Sequence, residues 1–345
     1  MQLRLAVAGI GNNISALLQG IHYYRGLLKN GPEPVILPGI REFRIGEYAV
    51  VDIDIVAGFD VHTAKIGIPI EKAIFCPPNN YPDLSLDIPD SNCTVGLGLR
   101  MSEGAVVGRQ AVVEALRNAS AEVLLYSLPT GLQDLADAYA QCALDAGACF
   151  VNCTPEVVAR NPDLMKKFEQ RTLSLIGDDL ASQMGASVLH RKIIDLLLDR
   201  GLNLESTYQV NLGGNEDFRN LRIRGQTKEA SKKNALARDG LDLDRVHVIP
   251  SGGVVASLRD RKVAYLSVVG RGWANTPVYI DVKLDVQDSS NAAGVIIDLV
   301  RLAAAAKRAG MGGFCDAAAG LLKSPPGTAS AALTLVDELD IAAQA

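Results

Sequence analysis

Through the first two hundred residues the chain repeats one grammar: a short apolar run, a turn, then an amphipathic helical stretch. "LRLAVAGIGNNISALLQGIHYY" supplies an apolar strand, a glycine turn and a helix with Leu17, Leu18, Ile21 and Tyr24 at helical spacing. "YAVVDIDIVAGFD" reads as a strand region ending on Asp60. "AVVEALRNA" reads as a helix leading into the strand "AEVLLYSLP", and "LADAYAQCALDAG" as a helix stopped by Gly147 before the strand "CFVNCTP". "LSLIGDD" is a further strand ending on Asp178 and Asp179, followed by a helix over "SQMGASVLHRKIIDLLLDRG". Parallel strands need long crossovers between them, so this alternation predicts an α/β fold with a Rossmann-like, doubly wound parallel sheet.

Near residue 205 the grammar changes. "STYQVNL", "VHVIPSG", "KVAYLSVVGRG" and "TPVYIDVKLDV" follow one another with little helix between them, which predicts a second, partly antiparallel sheet. Helix returns with "NAAGVIIDLVRLAAAAKRAG". The pattern is that of an α+β domain, residues 181–285, inserted into a dinucleotide-type domain made of residues 1–180 and 286–345.

At 345 residues, 48% apolar and 21% charged, the composition is that of a globular protein with room for two domains. A net charge of −5 without segregation of acid from base argues against nucleic acid, whose binding leaves a basic footprint. No apolar run reaches the ~18–20 residues of a membrane span, and the N-terminus reads as a first strand and not as a signal peptide. The six cysteines and four histidines lack zinc-like spacing, so no metal site is expected. The thiols read as reduced and structural, in a cytoplasmic protein.

Gly9-Ile10-Gly11 follows a strand and opens a helix, the context of a dinucleotide turn. The first glycine allows the tight turn. The second lets the backbone approach a pyrophosphate at the helix N-terminus. Ile14 stands where the third glycine of G-x-G-x-x-G would be. Asp60, ending the next strand, could accept hydrogen bonds from ribose hydroxyls and repel a 2′-phosphate, favouring NAD over NADP; the alternative is an ordinary strand-end acid. "QTKEASKK" puts Lys228 and Lys232 four apart, roughly 5–6 Å between Cβ atoms on one helix face, with Lys233 next. Like charges so placed repel. Either the face is solvated, or the site needs cations around an anionic substrate.

Six ordered stretches, "IGDDLASQMGA", "NLGGNEDFRNL", "TKEASKKNAL", "DRKVAYLSVVGRG", "DVQDSSNAAGVIIDLVR" and "LLKSPP", together resemble the myo-inositol-1-phosphate synthase family in its shorter bacterial and archaeal form. The likeness runs from the GxGNN turn to the K-S-P-P near the end. It implies an NAD domain closed by the C-terminal helices and a catalytic domain whose sheets assemble a homotetramer. It further implies an internal redox cycle on a hexose 6-phosphate. The C5 hydroxyl of glucose 6-phosphate is oxidised, the C6 enolate attacks the C1 aldehyde, and the C5 ketone is reduced again, giving 1L-myo-inositol 1-phosphate. Similar proteins make a cyclopentane from fructose 6-phosphate on the route to carbocyclic nucleosides.

The resemblance places active-site lysines at Lys228, Lys232, Lys262 and Lys323. Clustering them should depress at least one pKa, freeing a neutral amine as base. Lys228 is assigned that role, oriented by Asp179. Lys262 and Lys323 stabilise oxyanions and Lys232 holds phosphate. Ser182, Gln183, Asn215, Asp217 and Asp260 are expected at the substrate, with a plain Gly-Asn turn as the alternative for "NLGGNEDF". Gly9, Gly11, Asn12, Asn13, Asp60, Ser127, Asp178 and Asp288 are expected at NAD, Asp288 doubling as a helix cap. Ala181, Thr227 and Gly252 depart from the family's usual lysine, serine and aspartate. All four lysines remain.

Overall fold

The computed structural model describes residues 2–29, 37–224, 226–237 and 242–327. Six strands make the first sheet: β1 (Leu3–Ala8), β2 (Ile53–Asp60), β3 (Val95–Leu97), β4 (Val123–Tyr126), β5 (Cys149–Asn152) and β6 (Leu175–Ile176). Their spatial order is β6-β5-β4-β1-β2-β3, and every pairing is parallel. The strand order reverses between β1 and β4, so a crevice opens where their C-terminal ends diverge, the place where such sheets bind ligands. β4 is buried throughout and β1 at every residue but Arg4, which explains their near-continuous apolar runs.

The helices flanking this sheet include α1 (Asn12–Leu28), α2 (Arg109–Asn118), α3 (Gln133–Ala146) and α4 (Pro162–Gln170). Gly147 ends α3 in the left-handed region at φ +80°, as its place in the sequence suggests. α4 was not foreseen, although Asn161 caps it by accepting from Asp163 and Leu164 N–H and Pro162 occupies its first turn. The "LSLIGDD" strand is shorter than expected: only Leu175–Ile176 pair, and the chain leaves the sheet before Asp178.

The second sheet is mixed: β7 (Asn203–Gly213), β8 (Val246–Val254), β9 (Arg261–Arg271) and β10 (Pro277–Gln287), in the order β8-β7-β9-β10. β8 runs parallel to β7, whereas β9 and β10 are antiparallel. One face packs on α5 (Ala186–Asp199) and α7 (Gln226–Leu236), with α6 (Glu216–Arg224) beside β8. The other face is open.

α8 (Asp288–Arg308) returns from the second sheet to the first and packs on α1 and β5. At 21 residues it is long and apolar enough to cross a membrane by length and composition, although charged residues interrupt its apolar run, and 89% of its apolar window is buried inside the fold. Arg301 within it is fully buried. It pairs with Asp298 at 2.6 Å and donates to the carbonyls of Glu42, Phe43 and Tyr48, holding the 42–48 segment against the helix. All six cysteines are free thiols.

Removing Arg301 leaves a buried carboxylate and three carbonyls without their donor. Arg301→Leu should therefore lower the unfolding free energy by about 3–5 kcal/mol, the usual cost of breaking a buried pair from one side. Urea unfolding followed by circular dichroism measures it; a loss below about 1 kcal/mol would mean that water or another donor takes over.

Candidate active site

A cavity of about 570 Å³ runs from the glycine turn across the crevice to α7 and the Lys323 segment, within the size range of cofactor and substrate sites. At its first end Gly9 has φ +90°, and a Cβ there would stand 2.6 Å from the Ser127 carbonyl. Gly11 precedes α1 and opens onto free space, with no atom within 4 Å of a Cβ position. The first turn of α1 carries no acid and no side-chain cap, and Ile14 N–H already meets the Gly11 carbonyl at 3.1 Å, so an anion would be met by the N–H groups of Asn12 and Asn13. Asn13 donates to the Ser127 hydroxyl at 3.1 Å, uniting two predicted cofactor residues.

Asp60 lines this end, but its oxygens already accept from Ile10, Val61 and His62 N–H at 2.8–2.9 Å. Lys65, which the sequence reading missed, is buried 3.7 Å from Asp60 and donates to the Ile10 carbonyl at 2.7 Å and to Asn79 at 2.9 Å. Acid and lysine thus clamp both peptide groups of Ile10 and set the orientation of the turn. Burial lowers the Lys65 pKa, opposed by Asp60. Its only sequence signal was a lysine shortly after the strand-end acid.

At the other end Asp179 is fully buried, with φ +58°. Lys228 and Lys323 both reach its Oδ1, at 2.8 and 3.0 Å, and Ser231 donates to Oδ2 at 2.7 Å. The 321–324 segment is held alongside 178–181 by backbone bonds, which deliver Lys323: its N–H meets the Asp179 carbonyl at 2.8 Å, and Asp178 and Ser324 exchange two more. On α7, Lys228, Ser231 and Lys232 face inward, while Lys233 turns outward to pair with Glu229. The paired lysines of "QTKEASKK" therefore face the cavity and the third faces solvent. Lys262 pairs with Asp288 at 3.1 Å and lies 5.7 Å above the Phe218 ring. Phe218 needs Gly213 beneath it, where a Cβ would come within 2.3 Å of the ring.

The charges sort unevenly. Burial opposes ionisation of Asp179, but Lys228, Lys323 and the hydrogen bonds outweigh it, so its pKa is lowered. Lys228 is likewise opposed by burial, yet Asp179 and Asp217 raise its pKa. Lys323 is lowered to about 8 by burial, with Lys228 and Lys262 adding repulsion against the pull of Asp179. Lys232, only 3% exposed and without an ion pair among the described residues, is lowered well below the ordinary lysine value by burial and by the other three lysines. The expectation of a depressed lysine is met at Lys232 and Lys323. Lys228, assigned as base from the sequence, is the most firmly charged of those that shift.

Three predicted residues turn away from this cavity, and a fourth, Asn12, lines it with its side chain already engaged. The Asp178 carboxylate is buried and accepts from Asn152, Val158, Ala159 and Arg160, so it supports the chain and does not face the cavity. Gln183 turns away to the Gly39 carbonyl and packs on Gly294, while Ser182 does line the cavity. The Asn12 side chain makes four hydrogen bonds to Asn80, Tyr81 and Asp260, its full capacity. Asp260 is fully buried among neutral donors and does not line the cavity. Asn215, Asp217 and Asp288 do line it. Thr227 lies outside the described side chains.

A dinucleotide-type crevice that continues into a cluster of lysines defines the class: an α/β protein of Rossmann-like fold with a lysine-lined cavity at its switch point. The family model for Myo-inositol-1-phosphate synthase matches residues 185–289. The inositol-3-phosphate synthase of Mycolicibacterium smegmatis is 40% identical over 94% of this chain and 93% of its own length. That of Corynebacterium glutamicum is 38% identical over 94% and 93%. Among solved structures, that of a protein called Ari2 superposes with a TM-score of 0.83 at 52% identity, covering 95% of this chain and 93% of that one. A myo-inositol-1-phosphate synthase-related protein from Thermotoga maritima shares the fold, with a TM-score of 0.72 at 24% identity over 95% and 94%. The chain belongs to the myo-inositol-1-phosphate synthase family and is an enzyme of that class.

Asp179→Asn should strand two buried ammonium groups and cost about 3–5 kcal/mol at pH 7. At pH 10 the penalty should shrink, because lysines without a counter-charge shed their protons. Denaturant unfolding at the two pH values checks this; an equal penalty at both would deny that charge pairing is what Asp179 supplies.

Proposed function

We propose that this enzyme is an NAD-dependent cyclase that converts glucose 6-phosphate to 1L-myo-inositol 1-phosphate. The observation that carries the reading is the convergence of Lys228, Lys232, Lys262 and Lys323 on a cavity continuous with the glycine turn. The open space over Gly11 and the uncapped start of α1 suit a pyrophosphate, with Gly9, Asn13 and Ser127 around it. NAD, when bound, supplies reversible oxidation at the sugar's C5, so the cofactor ends as it began.

Phosphate is held by Lys232, Ser182 and the N-terminus of α5, whose first turn has no acid and no side-chain cap. A phosphate dianion there would return Lys232 to its charged form. Lys323 is the better base. As a neutral amine it has two N–H donors, which meet Asp179 and the Leu180 carbonyl at 2.7 Å, leaving its lone pair for a substrate proton. In that step the sugar O–H bond breaks, the amine becomes an ammonium, and Asp179 receives it at 3.0 Å. Lys228 stays charged throughout. With Lys262, held by Asp288, it faces the negative charge that develops on oxygen during enolisation and C6–C1 bond formation.

A second reading, a cyclase of the same type acting on fructose 6-phosphate, is kept for one reason. The chain shares 52% of its residues with Ari2 but 38–40% with the named synthases, so the substrate is not carried over from the latter. Incubating the protein with each sugar phosphate and substoichiometric NAD, then identifying products by NMR, separates the readings. The cyclase reading fails if NADH accumulates with a ketose product.

We further propose that residues 181–285 act as the catalytic and tetramerisation unit of a homotetramer. On the open face of the second sheet Tyr208, Ile249, Tyr265 and Tyr279 are 43–69% exposed and share one side by register, an aromatic patch suited to a second copy. Sedimentation of Tyr265→Glu should give smaller species than the parent chain; an unchanged mass would exclude this face. Free thiols and a sugar-phosphate substrate fit a cytoplasmic enzyme.

For the base, kcat/KM should rise with pH through about 8 as Lys323 loses its proton, since that ratio reports the free enzyme. Lys323→Arg should lose about 10²–10⁴-fold in kcat and abolish that limb. Lys228→Arg, which keeps its charge, should lose far less. The reverse ranking would return the base to Lys228.

A further inference from the structure

Asp260 is a buried carboxylate that the chemistry above does not use. No cation meets it among the described residues. Its Oδ1 accepts from Asn12 at 2.8 Å, the Ser289 hydroxyl at 2.7 Å and Asn215 at 3.3 Å, and its Oδ2 from Gln287 at 2.8 Å and Ser289 N–H at 3.1 Å. Its carbonyl accepts from Asp288 N–H at 3.0 Å. These donors come from separate elements: the start of α1, the turn after β7, the end of β10 and the first turn of α8. Asn12 continues the connection, since Asn80 N–H meets its Oδ1 at 2.9 Å and the Asn80 amide donates to the Gly214 carbonyl at 3.1 Å. Five donors on one carboxylate, with a fully satisfied amide opposite, fix the relative placement of both ends of the cavity. Asp260 stands two residues before Lys262, and Ser289 one residue after Asp288.

We propose that Asp260 is a positioning residue that locks the cofactor turn, through Asn12, in register with the Lys262–Asp288 pair, so that oxidation and oxyanion stabilisation act on one substrate placement. Relative placement matters because a displacement of about 1 Å can cost roughly 10²-fold in rate. The proposal rests on the cyclase reading for its kinetic consequence and not for the lock itself.

The test is Asp260→Asn, which sets an amide donor against donors and keeps the volume. Hydrogen exchange, without cofactor or sugar, should quicken at least tenfold across residues 9–20 as well as around 260 and 288. NAD should bind about tenfold more weakly although Asp260 lies outside the cavity. kcat should fall roughly tenfold or more, with the sugar-phosphate KM within twofold. A folded variant whose exchange changes only near 256–262, with NAD affinity and kcat unchanged, overturns the lock. If Asp260→Asn does not fold, Asn12→Ala gives the reciprocal measurement: exchange at 259–263 and 286–292 must quicken, and no change there overturns the proposal equally. A parent chain that binds no NAD and turns over no sugar phosphate would sink the cyclase reading, while the exchange measurement still judges the lock.

Discussion

The Asp179 carboxylate holds the lysine-lined end of the cavity together. It sits just beyond β6, fully buried, and a lone ionised carboxylate in that position would cost several kcal/mol. What offsets the cost is that α7 and the 321–324 segment each contribute a lysine to the same oxygen, with Ser231 on the other. One acid thereby ties the edge of the first sheet, a helix on the second and the segment beyond α8 into a single site. The two lysines do not share it equally. Lys228 also feels Asp217 and stays charged, whereas burial, with repulsion from Lys228 and Lys262, lowers Lys323 to about 8. A single buried carboxylate thus yields one permanent cation and one titratable amine from the same residue type.

The glycine end is held by a different kind of contact. Asp60 and Lys65 clamp Ile10 through its two peptide groups, while the Asn12 amide and Asp260 fasten the start of α1 to the second sheet. Buried amide networks specify geometry strongly because every unmatched donor is costly. At the glycine turn the cavity wall is held by hydrogen bonds from neutral donors and one acid–lysine pair. Its lysines carry the charge.

Much of this was legible beforehand, for identifiable reasons. Strand–helix alternation reports burial on both sheet faces, so the parallel sheet and its mixed neighbour could be read from periodicity alone. The i, i+4 spacing of Lys228 and Lys232 put both on one face by helix geometry. α4 was missed although its Asn-Pro start is a recognisable cap, because its apolar positions are few. α8 was legible as a helix, but not its almost complete burial, because Asp298 and Arg301 interrupt the apolar run and only the fold pairs them inside.

By itself the sequence determined most element types, the glycine turn and the shared face of Lys228 and Lys232, since these depend on spacing along one segment; Lys262 and Lys323 joined them only through the family resemblance. The tertiary structure alone decided which lysine pKa values are lowered and which predicted side chains face the cavity. Lys228 and Lys323 are 95 residues apart and meet only at Asp179. Asn12 and Asp260 are 248 apart and meet across the two sheets. Protonation, and whether a polar side chain still has a free bond to offer, depend on neighbours brought together by folding, through burial and Coulomb terms that fall off within a few ångströms.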